Sequence, residues 1–319
     1  MTSDDTAEPR IAVLVIAHAN PASFANLVRA LSHPRIQVVA HVDVRVDQRA
    51  FQTDATSDVV FVTDRIANFW ADWSQIEVAL RLMRTARSIG RFASHALISG
   101  DTLPLVTTDA LVRTLAATPT MTMLQRIGPD TPYHKRVSGI FLPRTNYGRV
   151  RDGVHFLDRC ILPEEFDDYL AAMRTAKAKR EFTFTVWRGR QWIALSDRHV
   201  TEIEDLMDRD PAFVDIFRYS LIPDALFFQT ALKLVAPKVP PRPGFMGWDW
   251  PTGPSPKTLT DPAELDTILS TRALFFRKFS DSGPALAEAV LAGRRDLEAA
   301  RAEGWPVPPA KARAAPAHA

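Results

Sequence analysis

The strongest constraint on the fold of this chain is a regular alternation of short apolar runs with helical patterns over its first 125 residues. The first run, Ile11–Ala17, is IAVLVIA, and apolar residues at every position are typical of a parallel strand buried on both faces. Alternating strands and helices pack as a parallel sheet between helical layers, so the sequence predicts an α/β fold with a mostly parallel central sheet flanked by helices. Further strands are predicted at Gln37–Asp43, Val59–Thr63, His95–Ser99 and Thr120–Gln125.

Helix signals occupy the intervals between these strands. Asn20 followed by Pro21 is a typical helix start and predicts a helix over Ala22–Leu31. Ser74 and Glu77 have the spacing of a capping box, which predicts a second helix from Ser74 onward. We therefore assign these two polar residues to helix capping rather than to chemistry.

The second half of the chain is less regular. Residues 237–257 are rich in proline and predict a long ordered loop or a lid. Disordered termini are predicted at 1–9 and 305–319, around a single domain over 10–304. The remaining elements are predicted as strands at Thr183–Trp187 and Trp192–Leu195 and helices near 198–208, 223–235 and 284–303.

Composition and missing motifs exclude several classes of function. The formal net charge is +2, and no basic helix with interleaved aromatics occurs, so nucleic-acid binding is not expected. The single cysteine, Cys160, excludes an intramolecular disulfide. No P-loop, dinucleotide fingerprint or metal-ligand spacing is present, so the sequence predicts no metal and no cofactor. We see neither a signal peptide nor a membrane-spanning run, and expect a cytoplasmic protein.

Polar residues follow the ends of four predicted strands, where open α/β sheets bind ligands. Aromatic faces beside a carboxylate suit a nucleoside, because a ring stacks while the carboxylate accepts hydrogen bonds from ribose or base. Taken singly, Asp43 is also explained as a turn residue and Trp70 as a core residue. The candidates are His18 after the first strand, Asp43 and Arg45 after the second, Trp70 after the third and Ser99 after the fourth.

Seven segments carry a resemblance to a known family. They are IAVLVIAHANP, AHVDVR, FVTDRIANFWADWSQIEVAL, LISGDTLPL, RQWIALS, IPDALFFQTAL and LFFRKF. In this order and approximate spacing they resemble the core-2/I-branching β-1,6-N-acetylglucosaminyltransferase family, a group that includes the peptide O-xylosyltransferases. The resemblance covers about residues 10–280, and the ordered set is more specific than any one segment.

The resemblance implies a GT-A type nucleotide-diphospho-sugar transferase fold. Residues 10–125 then form the nucleotide-binding half and residues 126–304 the acceptor and diphosphate half. The implied reaction is an inverting, metal-independent transfer of GlcNAc or xylose from a UDP-sugar to a hydroxyl of a glycan, a lipid-linked glycan or a peptide. The sequence does not indicate an oligomeric state.

A transferase without a metal must neutralise the departing diphosphate with fixed cations. Arg277 and Lys278 lie between phenylalanines in FFRKF and suit this task, because Arg holds phosphate in a bidentate manner and Lys acts as a point charge. If the segment is extended, adjacent side chains point to opposite faces and only one of them contacts the diphosphate. The alternative is a surface strand with solvated charges.

The resemblance also implies roles on the donor and acceptor sides. Asp43 matches an aspartate on the uracil or ribose side, and Trp70 matches a tryptophan near the donor. Gln191 and Trp192 match a segment that lines the sugar and acceptor region, although Trp192 is equally explained as a core aromatic. Trp250 belongs to a D-W pair assigned to the same region.

The chain departs from the family at the acid that removes the acceptor proton. The position of the family's general-base glutamate is Ala225, and the nearest carboxylate is Asp224, predicted in the first turn of a helix that starts at Pro223. In SGDTLP the family's aspartate corresponds to Thr102, and Asp101 precedes it. Two hypotheses follow. The chain is an active transferase in which Asp224 or Asp101 replaces the glutamate, or it is a catalytically impaired partner protein that binds a nucleotide sugar or a glycan.

Overall fold

The computed structural model of the protein describes residues 8–141, 166–248 and 257–296. The predictions for Trp250, for Cys160 and for the chain ends at 1–7 and 305–319 lie outside the described residues. Within the described ranges, no helix combines the length and the apolar character needed to cross a membrane.

Five strands form the central sheet, in the order β3-β2-β1-β4-β8. β1 runs parallel to β2 and β4, β3 runs parallel to β2, and β8 is the antiparallel edge strand. The prediction of a mostly parallel sheet in an α/β fold is therefore confirmed. The strands in chain order are β1 (Ile11–Ala17), β2 (Ile36–Val42), β3 (Val60–Phe61), β4 (Ser94–Ser99), β5 (Thr102–Pro104), β6 (Gln125–Arg126), β7 (Trp187–Arg188), β8 (Ile193–Ser196), β9 (Met246–Trp248) and β10 (Phe275–Arg277).

Helices cover this sheet. They are, in chain order, α1 (Pro21–Ala30), α2 (Ser74–Ile89), α3 (Thr108–Ala117), α4 (Pro132–Ser138), α5 (Phe166–Glu181), α6 (Asp197–Arg209), α7 (Pro211–Arg218), α8 (Phe227–Val235), α9 (Leu265–Leu269) and α10 (Pro284–Ala292). Both α2 and α3 pack against β1, the central strand, and α6 packs against β8. All seven residues of β1 are buried, as expected for a parallel strand covered on both faces.

A second, three-stranded sheet brings the basic segment to the ligand-binding edge of the first. Its strand order is β5-β10-β9, with β10 antiparallel to β5 and parallel to β9. In this register Arg277 lies opposite Thr102, which follows the carboxyl end of β4. β6 and β7 form a separate antiparallel pair in which Gln125 lies opposite Arg188.

Residues 120–125 do not form the predicted strand. Met121 makes an isolated bridge to Ala194, and β6 begins only at Gln125. The hydroxyl of Thr120 contacts a ring nitrogen of His199 at 2.7 Å, and its oxygen lies 2.9 Å from the amide of Ser196. These side-chain bonds fix the segment against the start of α6, so it does not continue as a regular ladder strand.

Two helices begin where the sequence predicts, but with different caps. Asp281 accepts a 2.7 Å hydrogen bond from the amide of Ser23 at the start of α1, while Asn20 makes no side-chain cap. At the start of α2, the hydroxyl of Ser74 accepts from the amide of Phe69, so the predicted capping box is wrong. At α1 the cap is supplied by Asp281, which is distant in sequence. At α2 the hydroxyl of Ser74 is used by the amide of Phe69 and does not cap the helix.

The predicted helix over 223–235 is interrupted. Pro223–Ala225 forms a 3-10 turn, Leu226 has the non-helical angles φ −130° and ψ −41°, and α8 begins at Phe227. The turn is entered through Ile222, whose φ is +53°. Asp224 therefore belongs to a tight turn and not to the first turn of an α-helix.

The C-terminal predictions are revised as well. α10 ends at Ala292, before Gly293, and residues 297–303 of the predicted helix lie outside the described residues. Within the proline-rich segment 237–257, predicted as a loop, residues 246–248 form β9 because they pair with β10.

Candidate active site

One carboxylate and two cations form a cluster beside the carboxyl end of β4. Arg277 donates from Nη2 to Asp101 Oδ1 at 3.2 Å, and Lys278 Nζ lies 3.7 Å from Asp101 Oδ2. The side chain of Asp101 is 5% exposed, that of Arg277 13% and that of Lys278 31%. Both cations therefore approach the same carboxylate, in contrast to the opposite faces predicted for an extended segment. A solvated surface strand does not describe this arrangement.

Asp101 is held in place from both its side chain and its main chain. The hydroxyl of Ser99 donates to Asp101 Oδ1 and also lies 3.0 Å from the hydroxyl of Thr102. The carbonyl of Asp101 accepts a 2.9 Å hydrogen bond from the amide of Phe279. The carboxylate is thus a fixed counter-ion for the two cations.

Trp192 lies beneath Arg277. The guanidinium carbon of Arg277 is 4.9 Å from the centroid of a Trp192 ring, and Trp192 is 8% exposed. Such a cation–π contact restricts the arginine without neutralising it. Trp192 is both a core aromatic and a neighbour of the cation cluster, so the two alternatives considered for it are compatible.

Asp43 and Arg45 form a closed network after β2. Arg45 donates from Nε and Nη2 to the carboxylate of Asp43 at 2.9 and 2.7 Å, and the amide of Asn68 donates to Asp43 Oδ2 at 2.9 Å. Burial opposes ionisation, but the hydrogen bonds from Arg45 and Asn68 outweigh it and lower the pKa of Asp43 to about 2. Arg45 also covers the ring of Phe69 at 4.5 Å. The Asp43–Arg45 pair therefore fixes Asn68 and Phe69, and the guanidinium of Arg45 over the ring of Phe69 forms what we call the Arg45–Phe69 platform.

His18 lies within electrostatic range of both networks. Partial burial lowers the pKa of His18, the charges of Asp101 and Asp43 raise it, and those of Lys278 and Arg277 lower it. The His18 imidazole is thus close enough to Asp43, Asp101, Arg277 and Lys278 to be influenced by all four charges. The structure brings these five sequence-predicted residues within electrostatic range of one another.

Trp70 is exposed beside the turn that carries Asp224. Its residue exposure is 56%, and the following residue, Ala71, has φ +64°. The carbonyl of Ala71 accepts a 3.1 Å hydrogen bond from the amide of Ile222, immediately before the 3-10 turn. The strained Ala71 and Ile222 conformations are therefore coupled, and they link the exposed Trp70 to the segment that leads into the 3-10 turn.

Asp224 is a buried carboxylate with an unused oxygen. The residue is 9% exposed, and Oδ1 is buried without a hydrogen-bond partner in the described chain. Burial raises the pKa of Asp224 to about 6, opposed by a backbone hydrogen bond and by the charge of Arg136. A carboxylate with a pKa near neutrality suits proton abstraction.

Ala225, which the resemblance aligns with the family's general-base glutamate, is joined to the 189–192 segment. Its carbonyl accepts a 2.9 Å hydrogen bond from the amide of Gly189. A Cβ on Gly189 would lie 2.2 Å from the carbonyl oxygen of Met123, so this close approach requires glycine. Gln191 is half-buried with no hydrogen bond to the described chain, and Trp192 follows it under Arg277. The segment thus runs from the Asp224 turn to the cation cluster.

Sequence reasoning missed a group of arginines around this turn. Arg190 stacks on Trp248 at 3.4 Å, and burial lowers its pKa to about 10. Arg188 and Arg136 both cover the ring of Tyr133, at 4.0 and 4.7 Å. The only sequence signal was the arginine-rich character of the middle region, which does not show that these side chains meet.

No group of three or more His, Cys, Asp or Glu side chains in the described ranges is arranged to hold a metal ion. Trp250, assigned to the sugar and acceptor region, lies outside those ranges. The described candidates form two adjoining groups. Asp101, Arg277, Lys278, His18 and Asp43 lie on one side, and Asp224 with the missed arginines lies on the other.

A mostly parallel sheet with fixed charges and aromatic rings at its carboxyl edge is typical of α/β proteins that bind a ligand at that edge. Residues 11–259 match the family described as Core-2/I-Branching enzyme, and the chain belongs to this family. Among curated proteins none matches the chain. Membership implies a glycosyltransferase that uses a nucleotide-sugar donor and a glycan acceptor, in a fold of the GT-A type.

Proposed function

We propose that the protein is an inverting glycosyltransferase that moves GlcNAc or xylose from a UDP-sugar to an acceptor hydroxyl without a divalent metal. The observation that carries the proposal is the shared contact of Arg277 and Lys278 with Asp101 at the ligand-binding edge. Two cations held this closely to one carboxylate can exchange it for the phosphate oxygens of a donor.

The nucleoside is assigned to the end of β2. Asp43 uses both carboxylate oxygens on Arg45 and Asn68, so its main effect on the donor is to fix the Arg45–Phe69 platform. A uracil ring can stack on such a platform, and the exposed face of Trp70 offers a second surface for a sugar or a base.

In the chemical step, the cations Arg277 and Lys278 act on the leaving group and the carboxylate of Asp224 acts on the acceptor. The acceptor oxygen attacks the anomeric carbon while the bond from that carbon to the UDP oxygen breaks, and the electron pair leaves with UDP. Arg277 and Lys278 stabilise the charge that develops on the diphosphate. Asp224 takes the acceptor proton, for which its pKa of about 6 is suitable.

A UDP-release assay over a panel of UDP-sugars tests the proposal. We expect release with UDP-GlcNAc or UDP-xylose that is unchanged by a chelator, and a loss of roughly 10²–10³-fold in Arg277→Ala and Lys278→Ala. Arg84→Gln is the matched control, because Arg84 pairs with Glu204 about 15 Å along α2 from Ser74. Activity that disappears with a chelator and returns with Mn²⁺ would refute metal independence.

A second candidate function is favoured by two features of the 3-10 turn. Asp224 Oδ1 is buried, and Ala225 replaces the family's acid, so the chain is also suited to bind a nucleotide sugar without transferring it. In that case UDP binds measurably, yet no donor releases UDP above the uncatalysed rate. The assay therefore separates a transferase from a binding partner.

A further inference from the structure

Two arginines near the 3-10 turn of Asp224 make cation–π contacts with the same aromatic ring. The guanidinium carbons of Arg188 and Arg136 lie 4.0 and 4.7 Å from the ring centroid of Tyr133. Tyr133 and Arg136 are both on α4, and Arg188 is on β7. The ring therefore fixes two positive charges next to each other across two elements.

Within the described chain, neither guanidinium forms an ion pair. Arg188 donates from Nε to the neutral amide oxygen of Gln125 at 2.7 Å, which orients it and leaves its other N–H groups free. In the described ranges, no nitrogen of either arginine is both buried and unpartnered, so the free donors are not sealed from solvent. Two adjacent cations without a counter-ion repel each other, and a bound anion removes that repulsion.

The charges that act on Arg136 include the second arginine and one carboxylate. Burial lowers the pKa of Arg136, Asp224 and Tyr133 raise it, and Arg188 lowers it. Arg190 adds a third cation two residues from Arg188, and its Nη1 donates to the carbonyl of Met246 rather than to a carboxylate. Among the carboxylates of the described ranges, Asp224 is the one whose charge acts on Arg136, and the proposed function assigns it to proton transfer.

The turn that carries Asp224 is joined to both arginine-bearing elements. The amide of Leu221 donates to the carbonyl of Arg136 at 3.0 Å, and the amide of Gly189 donates to the carbonyl of Ala225 at 2.9 Å. The two arginines therefore flank the residue to which the proposed function assigns acceptor deprotonation. An anion bound by them lies on the acceptor side of the site, whereas Arg277 and Lys278 serve the donor.

We propose that the acceptor carries an anionic group, a phosphate or a carboxylate, which Arg136 and Arg188 bind against Tyr133 while the reacting hydroxyl reaches Asp224. This inference rests on the proposed function and names its acceptor class. Guanidinium groups match both anions through paired N–H donors, so the chemistry is shared by the two sources.

Calorimetric titrations of the full chain test the proposal with glucose, glucose 6-phosphate and glucuronic acid as probes, each at saturating UDP. We expect at least one charged probe to bind at least tenfold more tightly than glucose, and to weaken as salt is added. Its affinity should fall roughly five- to tenfold in Arg136→Gln and in Arg188→Gln, while Arg188→Lys retains part of it. Arg84→Gln serves as the control for loss of one exposed positive charge.

The outcomes separate this inference from the proposed function. Equal binding of charged and neutral probes, or charged-probe affinity unchanged in both glutamine variants, would overturn it. Displacement of the charged probe by UDP would also overturn it, because the arginines would then hold the donor's diphosphate. UDP titration of the same variants measures the donor site separately. If UDP does not bind, the same probes are titrated without UDP, and these titrations still test the anion site. A variant that fails to unfold cooperatively is replaced by Arg188→Lys, for which the fall in charged-probe affinity must still exceed that in the control.

Discussion

The carboxylate of Asp101 lies 3.2 Å from Nη2 of Arg277, so the proposed diphosphate site is already occupied by a negative charge of the protein itself. Lys278 lies 3.7 Å from the other oxygen of the same carboxylate. A donor that binds these cations must compete with Asp101 or share them with it. Asp101 is therefore better suited to tune donor affinity than to serve as the general base.

Replacing Asp101 by asparagine should tighten UDP binding. The substitution keeps the shape and the hydrogen bond from Ser99 but removes one charge, so we expect a roughly three- to tenfold lower Kd for UDP and a steeper dependence on salt. Isothermal titration calorimetry measures both. Asp109→Asn is the control, because Asp109 contacts His33 before β2, at the opposite edge of the sheet. Weaker binding in Asp101→Asn would mean that Asp101 positions the cations instead of competing for them.

The pH dependence of transfer should report Asp224. A general base acts when deprotonated, and burial raises the pKa of Asp224 to about 6, so kcat/KM should rise with pH to a plateau with its midpoint near 6. Asp224→Asn should lower kcat/KM by roughly 10²–10⁴-fold and abolish that midpoint. Initial rates of UDP release between about pH 4 and about pH 8 provide the profile, a range of about two units on either side of the midpoint. Full activity in the variant would remove Asp224 from this role.

The same substitution should stabilise the folded protein above pH 6. The folded-state pKa of Asp224 is raised from 3.8 to about 6, so its contribution to stability is fully present below the unfolded value and is lost as the pH rises through 6. Asparagine does not ionise, and the free energy of unfolding of Asp224→Asn should exceed that of the parent by roughly 2–3 kcal/mol at pH 8. Urea denaturation at pH 4 and pH 8 measures the difference, which should nearly vanish at pH 4. An equal difference at both pH values would exclude titration of Asp224 as its cause.

Gly189→Ala should damage both stability and activity. The added Cβ would lie 2.2 Å from the carbonyl oxygen of Met123 and 2.8 Å from Cγ of Gln229, so the backbone must move. The amide of Gly189 holds the carbonyl of Ala225, and its movement displaces the Asp224 turn. We expect a loss of roughly 2 kcal/mol or more in thermal or urea unfolding and a fall in kcat. Gly128→Ala is a suitable control, because a Cβ there would make only an ordinary 3.7 Å contact with Thr131.

Regular elements were predictable from sequence where one physical signal dominated. Burial on both faces requires apolar residues throughout a strand, and the bounds of β1 match the IAVLVIA run at Ile11–Ala17. The break before α8 was not predictable, because it depends on a positive φ at Ile222 and on a hydrogen bond to Ala71, 151 residues earlier in the chain. The local pattern around Pro223 indicates a helix start and contains no trace of that tertiary contact.

The candidate site also contains residues whose proximity was predictable from sequence and residues whose proximity was not. Residues at strand ends, such as His18 and Asp101, could be placed together because parallel strands end at one edge of a sheet. Arg136 and Arg188 could not, since their proximity arises from a shared contact with Tyr133 between α4 and β7.

Restoring the family's acid should distinguish the two functional hypotheses. Ala225 is half-buried in the same 3-10 turn as Asp224, so a glutamate at 225 would enter the site one residue away from the present carboxylate. If Asp224 is the working base, Asp224→Asn should be inactive and Asp224→Asn combined with Ala225→Glu should recover at least tenfold, within the range a general base supplies. Ala225→Gln in the same background is the matched control, because it has the same length but accepts no proton. If the parent chain and Asp224→Asn are equally inactive while Ala225→Glu alone creates UDP release, the natural protein is a binding partner that has lost transfer.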